Sequence, residues 1–452
     1  MNAVAPRLAM PPRLAGRPSL FKVVRSIGEN ALSAWPEEAF ELEWMDRSMW
    51  FRHVAVANSP EAAKHVLLDN NDNYVKTPIA RNLLEPGLGK GLLTTEGADW
   101  RRQRRIMAPA FAHKRLEVFA PGMVAETDRM LAGWRAGETV DAAEAMMRLT
   151  LAIISRAMFS IDASGDVARI GEGVGRYQHA VRPGFADLLG LPGWVPRPSI
   201  ARGRAAMGEI HPIITGVIEK RQREGGPADD LLALLLEARD EETGKGMSDA
   251  EMRAQIATIF TAGHETTSVA LTWTWYLLAL HPEVERRLEV EIDQVLVGRA
   301  PTAADVPRLR YTRMVIEESM RLYPPVHTMS RQALADDVVC GHPVPKGADV
   351  MISPWLLHRH RKLWHEPDRF DPERFAPERA GNRHRFAYLP FGGGPRICIG
   401  MGFAMMEAVL ILARMAQRWR LELVPGQEVV PVGLITLRPR DGLNVKLAPR
   451  DA

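Results

Sequence analysis

The chain has 452 residues, of which 46% are hydrophobic, and a formal net charge of +3 at pH 7. This size and composition predict one large globular unit or at most two smaller ones. Acidic and basic residues are interleaved, so nucleic acid is not an expected partner. The two cysteines, Cys340 and Cys398, are too few for a disulfide framework and favour a reducing cytoplasm.

No segment of the sequence predicts a secretory signal or a membrane anchor. The first residues are rich in proline and arginine and lack the apolar region that a signal peptide requires. The longest apolar stretch, residues 269–280, contains two threonines and is shorter than the roughly 20 residues that span a bilayer. We therefore expect a soluble, cytoplasmic protein.

The predicted strands lie toward the two ends of the chain. Residues 49–56 favour a strand, and Ser59 followed by Pro60 predicts the start of a helix, because serine caps helices and proline suits their first position. Strand patterns return at residues 337–353 and 430–447. The region between is largely helical in pattern, with breaks at residues 182–199 and 240–246. The predicted fold class is mainly α with small β-sheets.

One predicted helix is much longer than the average. Ser248 and Glu251 have the spacing of a capping box, and no proline follows until Pro282. A helix from residue 249 to residue 280 would be about 48 Å long at 1.5 Å per residue. A helix of this length can cross a whole domain.

The middle of that helix carries an acid and two alcohols. Gly263 weakens the helix, and Thr266 and Thr267 can bond to carbonyl oxygens one turn earlier, so a local widening or kink is expected. A gap there has room for dioxygen and a water molecule. Glu265 then offers a carboxylate to relay protons, and Thr266 offers a hydroxyl. The plainer interpretation is a surface glutamate and two threonines in an ordinary helix.

Cys398 ends a glycine-rich loop, Phe391-Gly392-Gly393-Gly394-Pro395-Arg396-Ile397-Cys398, that leads into an apolar helix. The glycines allow a tight turn and close approach to a flat ligand. The N-terminus of the following helix favours a thiolate and predicts a lowered pKa for Cys398. Arg396 places a cation toward an acidic group of the ligand. The alternative is a buried structural cysteine.

Two further pairs have helical spacing. Trp100 and Arg104 are four residues apart and therefore share one helix face. Glu318 and Arg321 are three residues apart and precede two prolines. Glutamate and arginine at this spacing ordinarily form a solvated ion pair, and Glu126 and Arg129 have the same spacing.

These motifs together resemble the cytochrome P-450 superfamily of haem-thiolate monooxygenases, in its soluble bacterial form. The resemblance covers residues 49–452 and includes the cysteine loop, the Glu265–Thr266 pair, the Glu-x-x-Arg helix and the Trp-x-x-x-Arg element. It implies one haem domain over residues 49–452, with residues 1–48 as an N-terminal extension and first helix of the same domain. No fused reductase is expected.

The resemblance also implies the role of each residue. Cys398 would bind the iron of haem b, and Glu265 and Thr266 would be catalytic residues that manage protons. Glu318, Arg321 and Arg374 would form a structural triad that fixes the cysteine loop. The remaining cofactor-binding residues would be Trp100, Arg104, Ala262, Arg331, Phe391, Gly392, Arg396 and Gly400.

The implied reaction inserts one atom of O₂ into a C–H bond of a lipophilic small molecule, such as a terpenoid, fatty acid or steroid. NAD(P)H would supply the electrons through a separate ferredoxin, of the 2Fe-2S or a similar type, and its reductase. The ferredoxin would bind a positive face formed by Arg101, Arg102 and Arg105. A monomer is expected. The alternatives are a haem-thiolate peroxygenase and a non-catalytic haem-binding protein. Residues at the family's pocket positions are Ile79, Leu83, Leu84, Leu88, Phe185, Ile259, Phe260, Val326, Met329, Leu434 and Ile435.

Overall fold

A computed structural model of the chain describes residues 7–12, 20–49, 52–160, 165–181, 195–227 and 229–450. Its α-helices are α1 (Leu20–Glu29), α2 (Pro60–Lys64), α3 (Pro78–Leu88), α4 (Gly97–Met107), α5 (His113–Leu116), α6 (Ala120–Ala132), α7 (Ala142–Phe159), α8 (Asp166–Ala180), α9 (Pro198–Glu224), α10 (Leu231–Glu237), α11 (Asp249–Leu280), α12 (Pro282–Leu296), α13 (Arg310–Leu322), α14 (Pro354–Leu357), α15 (Pro377–Ala380) and α16 (Met401–Ala416). Short helical turns are 3₁₀ at Ala31–Ala34, Glu37–Phe40, Asn71–Asn73, Ala108–Phe111, Glu117–Phe119, Ala303–Asp305, Pro372–Phe375, Arg385–Ala387 and Gly394–Arg396, and π-helical at His65–Asp69.

The strands are β1 (Trp44–Met49), β2 (Arg52–Ala57), β3 (Tyr74–Val75), β4 (Thr139–Asp141), β5 (Met329–Ala333), β6 (Asp337–Val339), β7 (His342–Val344), β8 (Asp349–Ile352), β9 (Trp419–Leu423), β10 (Pro431–Gly433), β11 (Leu437–Pro439) and β12 (Asn444–Pro449). They form a five-stranded sheet in the order β1-β2-β8-β5-β3, a three-stranded sheet β4-β12-β9 and two hairpins, β6-β7 and β10-β11. In the largest sheet, β2 and β8 are parallel and the other pairs are antiparallel. The predicted fold class is thus confirmed.

The long helix α11 lies at the centre of the core. Its capping box is present, because the Glu251 amide donates to the Ser248 hydroxyl at 3.3 Å and the Ser248 amide donates to the Glu251 carboxylate at 2.9 Å. Buried residues occur all round this helix, as expected for a helix enclosed by others. It packs against α7, α13 and α16. The last of these follows Cys398, so α11 and the cysteine loop belong to one packed unit.

The start of the described chain is packed into the same core. Leu8 is buried, the Ala9 amide donates to the Tyr276 hydroxyl at 2.9 Å, and the Tyr323 hydroxyl donates to the Ala9 carbonyl at 2.9 Å. The predicted N-cap at Ser59 is also present, since its hydroxyl accepts from the Ala62 amide at 3.2 Å. Among the described residues, none of the helices combines the length and the hydropathy needed to cross a membrane.

Candidate active site

The loop that carries Cys398 is held by its own backbone and by close packing. The Cys398 amide donates to the Phe391 carbonyl at 3.0 Å, which closes the loop. Gly394 has a φ of +67°, and a Cβ there would lie 1.7 Å from the Leu67 carbonyl oxygen. Gly392, with a φ of +74°, also lies in the left-handed region. Glycine is therefore required at these two positions by backbone conformation, and at Gly394 also by space.

The Cys398 sulfur lies in an internal recess. The side chain has accessible surface, although protein atoms surround it on most sides. Burial raises the pKa of the Cys398 thiol and outweighs the Gly400 amide and the Arg104 guanidinium, which both favour the thiolate. The lowered pKa predicted from the sequence is therefore wrong for the protein alone, because desolvation exceeds the effect of the helix N-terminus. Coordination to a metal deprotonates a thiol regardless of this shift.

Arg396 joins the loop to the start of α4. Its guanidinium carbon lies 4.3 Å from the Trp100 ring centroid, and its Nη1 donates to the Thr95 carbonyl at 3.2 Å. It also forms an ion pair with Glu96. The Lys76 amide donates to the same carboxylate at 2.9 Å, and its ammonium lies 3.6 Å away. Glu96 thus holds two cations together, a role that its place at the start of a helix did not indicate.

Positive charge exceeds negative charge around this recess. Arg104 and Arg331 have no carboxylate within 4 Å in the part of the chain that the structure describes. Burial and the neighbouring Arg396 lower the pKa of Lys76 to about 7, and burial lowers the pKa of Arg331. Four cationic side chains therefore accompany one described carboxylate, Glu96. This donor set suits an anionic ligand.

The middle of α11 presents a hydroxyl and exposed backbone. Helix α11 remains helical through residues 262–267. The Thr266 hydroxyl donates to the Ala262 carbonyl at 2.8 Å, which is the back-bonding expected from the sequence. Ala262 is exposed and Thr266 is half-buried, whereas Glu265 between them in the chain is buried. The carboxyl and the hydroxyl therefore face different surroundings.

Glu265 binds the hairpin formed by β10 and β11. Its Oε1 accepts from the Thr436 hydroxyl at 2.6 Å, and its buried Oε2 has no hydrogen-bond partner among the described residues. Burial raises the pKa of Glu265, while Thr436 and the nearby Arg438 oppose that shift. His264 is buried with its Nδ1 2.6 Å from the Phe260 carbonyl, away from this pair. Thr436 was missed because nothing in the sequence pairs a hairpin threonine with a distant glutamate.

A second buried acid lies on α16. Burial raises the pKa of Glu407 to about 8, and a hydrogen bond from Thr267 partly offsets that shift. Its Oε2 has no hydrogen-bond partner among the described residues. The sequence offered one sign of it, a single glutamate among the apolar residues at 401–412.

The structure brings Glu318, Arg321 and Arg374 together away from solvent. Arg321 binds Glu318 through two hydrogen bonds of 2.6 and 2.8 Å, and Arg374 Nε lies 3.3 Å from the same carboxylate. Glu318 and Arg321 have no exposed surface, and Arg374 has 5%. Arg321 also donates to the carbonyls of His358 and Pro367 at 2.8 and 2.7 Å. The triad therefore ties α13 to the segments that lead to the cysteine loop.

Most of the predicted pocket side chains have some accessible surface. The half-buried ones are Ile79, Leu83, Leu84, Met329, Leu434 and Ile435, and Val326 is exposed. Ile259 keeps 8% exposure. Leu88 and Phe260 have none, so the prediction that they line a pocket is wrong. Phe260 instead packs on Phe159, with ring centroids 5.4 Å apart. Phe185 lies outside the described residues.

The predicted positive face is largely neutralised. Arg101 lies 3.2 Å from Asp72, and Arg102 pairs with Glu251. Arg105 binds Asp240 and Glu242 at 3.0 and 2.8 Å. The sequence showed the arginines but not the acids, which come from distant segments.

Comparisons with known proteins agree on one family. The Cytochrome P450 family model matches residues 44–442. Cyclooctatin synthase of Streptomyces melanosporofaciens is 40% identical over 405 residues, 88% of this chain and 85% of that protein. Cyclooctat-9-en-7-ol 5-monooxygenase of the same species is 38% identical over 381 residues, covering 82% and 81%. Pentalenene oxygenase of Streptomyces avermitilis is 34% identical over 394 residues, covering 86% and 87%. The crystal structure of the cytochrome P450DA heme domain has a TM-score of 0.83 at 26% identity and 99% coverage of both chains.

The fold is that of a haem-thiolate oxidoreductase, and the chain belongs to the cytochrome P450 family. It is a monooxygenase that uses haem b and O₂ and inserts one oxygen atom into a C–H bond of a lipophilic small molecule. Its electrons come from NAD(P)H through a redox partner.

The residues present fit haem b. A haem carries two propionate carboxylates, and the recess offers Arg104 and Arg331 without carboxylate partners. The Cys398 sulfur is accessible within the recess. A soft thiolate is a suitable axial ligand for haem iron. The donor set and the charge therefore match the cofactor that the family uses.

Proposed function

We propose that this enzyme hydroxylates a cyclic terpenoid, with electrons from a ferredoxin. The names of two relatives state that they oxidise cyclooctat-9-en-7-ol and pentalenene. The observation that carries the proposal is the pair of half-buried apolar side chains, Leu434 and Ile435, in the turn whose Thr436 hydroxyl bonds Glu265 on α11. An apolar pocket with few polar groups suits a lipophilic substrate.

Cys398 is the residue that would bind the haem iron. Trp100, Arg104, Arg331 and Arg396 are proposed to hold the propionates, with Lys76 as a further partner from the same cationic cluster. Phe391, Gly392 and Gly400 shape the loop, and Ala262 offers exposed surface on α11. When bound, the haem supplies the activation of O₂, which a thiolate ligand promotes by donating electron density.

Glu265 and Thr266 are the proposed catalytic residues. The Thr266 hydroxyl, half-buried on α11, donates to the Ala262 carbonyl in this structure, and rotation of its single O–H away from that carbonyl would let it hold a proton on the cofactor side. Glu265 holds the next proton, because burial raises the pKa of its carboxyl toward the range in which it can both accept and release one. This acid–alcohol pair supports a monooxygenase over a peroxygenase, which receives its oxygen already reduced and does not require the pair.

The proposed docking surface for the electron donor is the exposed part of α5. Lys114 and Arg115 are exposed, and no described carboxylate lies within 4 Å of either. Leu116 packs on Gly402 at the start of α16, where a Cβ would lie 3.0 Å from its Cδ1. These cations therefore lie beside the helix that follows Cys398. An acidic ferredoxin suits this surface by charge.

The remaining parts of the proposal concern organisation. The packing of Ala9 against two core tyrosines supports an N-terminal extension that belongs to the haem domain. The two free cysteines support a reducing cytoplasm. A monomer remains the proposed state.

The test uses purified holoenzyme with a surrogate ferredoxin, its reductase and NAD(P)H. Cyclic diterpene alcohols, sesquiterpenes, fatty acids and steroids are screened for spin-state shifts, and hits are converted under ¹⁸O₂. We expect a terpenoid product with one labelled oxygen, dependent on the ferredoxin. Cys398→Ser should abolish the thiolate-type spectrum of the ferrous carbonyl form, whereas Cys340→Ser, at the exposed cysteine, should leave it unchanged. Conversion driven only by hydrogen peroxide would establish a peroxygenase instead.

A further inference from the structure

The turn between β10 and β11 reaches the carboxyl of Glu265 on α11 through Thr436. Its last residue, Thr436, is 5% exposed, and its hydroxyl donates to Glu265 Oε1 at 2.6 Å. The Leu434 amide donates to the Thr436 carbonyl at 3.1 Å, which closes the turn. Glu265 Oε2 is buried and has no hydrogen-bond partner among the described residues. The Thr436 hydroxyl is thus the one described side-chain group bonded to this carboxyl.

The hairpin is fixed on several sides, so the Thr436 hydroxyl has a defined position. The Trp273 indole donates to the Leu437 carbonyl at 2.8 Å, and the Leu437 amide donates to the Pro325 carbonyl at 2.9 Å. His327 Nε2 lies 2.9 Å from the Leu434 carbonyl. At the other end, the Asn30 side chain donates to one backbone group of β10 and accepts from another, at 2.9 and 3.0 Å. A hairpin anchored in this way can hold a partner side chain in one orientation.

Few other charged groups of the described residues face Glu265. The charge of Arg438, on β11, lowers the pKa of Glu265 and so opposes the effect of burial. His264, on the same helix, is directed to the Phe260 carbonyl, and Glu407, on α16, faces Thr267. A change in the titration of Glu265 after substitution of Thr436 can therefore be assigned to the lost hydroxyl.

We propose that Thr436 is a positioning residue for the proton-transferring carboxyl of Glu265, and that the β10–β11 turn holds this carboxyl in place. The inference rests on the proposed role of Glu265. Leu434 and Ile435, which form the same turn, are half-buried apolar residues at predicted substrate positions. A substrate that contacts Leu434 or Ile435 therefore affects the position of the Glu265 carboxyl through the backbone that joins these residues to Thr436.

The first test measures Glu265 directly in the holoenzyme. The infrared band of its protonated carboxyl is identified by its loss in Glu265→Gln and is followed against pH. Thr436→Val is nearly isosteric and removes the hydroxyl, so the titration should move about one to two pH units to the alkaline side, as expected for a lost hydrogen bond to a charged group. Thr436→Ser keeps the hydroxyl and should titrate like the wild type. An identical titration in Thr436→Val and the wild type, or equal shifts in both variants, would overturn the proposal.

The second test measures the product formed per NAD(P)H at several pH values. Thr436→Val should lower it about 3- to 10-fold, less than the ~10²-fold expected for loss of a proton donor itself, and Thr436→Ser should restore it. If Thr436→Val shifts the infrared titration but Glu265→Gln leaves product formation unchanged, Thr436 positions the carboxyl and the proposed role of Glu265 fails. If Glu265→Gln abolishes product formation while Thr436→Val changes neither measurement, the proposed role of Glu265 stands and the inference about Thr436 fails.

Discussion

The guanidinium of Arg396 lies over the indole ring of Trp100, with its central carbon 4.3 Å from the ring centroid. Glu96, one residue before α4, binds the same guanidinium. A cation over an aromatic face and a partly buried ion pair together join the loop that carries Cys398 to α4. Arg104 lies one turn beyond Trp100 on α4, and its positive charge favours the thiolate form of Cys398. The position of the thiol therefore depends on α4 as well as on its own loop.

The buried triad should determine whether the cysteine loop forms. Arg321→Met leaves the buried Glu318 carboxylate with Arg374 as its one remaining cation within 4 Å among the described residues, and removes three bonds to backbone carbonyls. We expect a loss of about 3–5 kcal/mol in the free energy of unfolding, together with a lower haem content. Denaturant unfolding and the absorbance ratio of haem to protein measure the two effects.

The matched control is Arg313→Met on the same helix. Arg313 pairs with Glu317 at 3.1 Å, but its side chain is 60% exposed. An exposed pair contributes about 0.2–1 kcal/mol, so haem content should stay near that of the wild type. Equal losses in the two variants would show that the triad has no special structural role.

The sequence predicted features that local chemistry determines. The bounds of α11 follow from the Ser248–Glu251 capping box and from Pro282, both of which act within one helical turn. The need for glycine at 392 and 394 follows from the backbone conformation of the loop. In each case the residues that decide the structure are neighbours in the chain, so their spacing was sufficient.

The features that the sequence missed depend on contacts between distant segments. Thr436 meets Glu265 across 171 positions of the chain, and Arg105 meets Asp240 across 135. The pKa of Cys398 was predicted in the wrong direction because a helix N-terminus is visible in the sequence, whereas the packing that desolvates the thiol is not. Phe260 was assigned to the pocket by its place on α11, but the face it occupies packs on Phe159.

Thr266 should couple oxygen consumption to product formation. Thr266→Ala removes the hydroxyl but keeps α11, in which Ala is a strong helix former. We expect oxygen uptake to continue while product per NAD(P)H falls about 10-fold or more, with hydrogen peroxide released instead. Peroxide assay and product quantification on the same samples measure the ratio.

Thr272→Ala is the control, because its hydroxyl makes the same kind of bond on the same helix, to the Ser268 carbonyl at 2.8 Å, in a fully packed environment. It should change stability slightly and leave the ratio of product to oxygen unchanged. Tight coupling in Thr266→Ala would remove this residue from the catalytic mechanism.

The basic surface on α5 should control the rate of reduction by an acidic ferredoxin. The double variant Lys114→Glu, Arg115→Glu reverses two exposed charges beside α16. We expect kcat/KM for the reduced ferredoxin to fall about 10-fold or more at low salt. The difference should shrink as the Debye length falls to about 8 Å near 0.15 M salt. Stopped-flow reduction at several salt concentrations measures it.

Lys220→Glu with Arg223→Glu is the matched control, since it makes the same change in net charge at exposed positions on α9. A rate that depends on net charge alone would fall equally in both double variants. That result would place the donor elsewhere on the protein.

Glu407 should make the stability of the protein depend on pH. Its pKa is raised by burial to about 8, above the value of about 4.3 for an unfolded chain. The unfolded state therefore releases this proton at lower pH, so the contribution of Glu407 to stability is complete below about pH 4 and is lost as pH rises through about 8.

Glu407→Gln removes this dependence of stability on pH. The free energy of unfolding of the wild type relative to Glu407→Gln should fall by up to about 5 kcal/mol across that window. Denaturant unfolding at about pH 5, 6.5 and 8 measures the difference, and Glu378→Gln, at an exposed glutamate, should show none. A constant difference between the wild type and Glu407→Gln at all three pH values would mean that Glu407 is ionised in the folded protein, and Thr267 of α11 would then face a charged carboxylate.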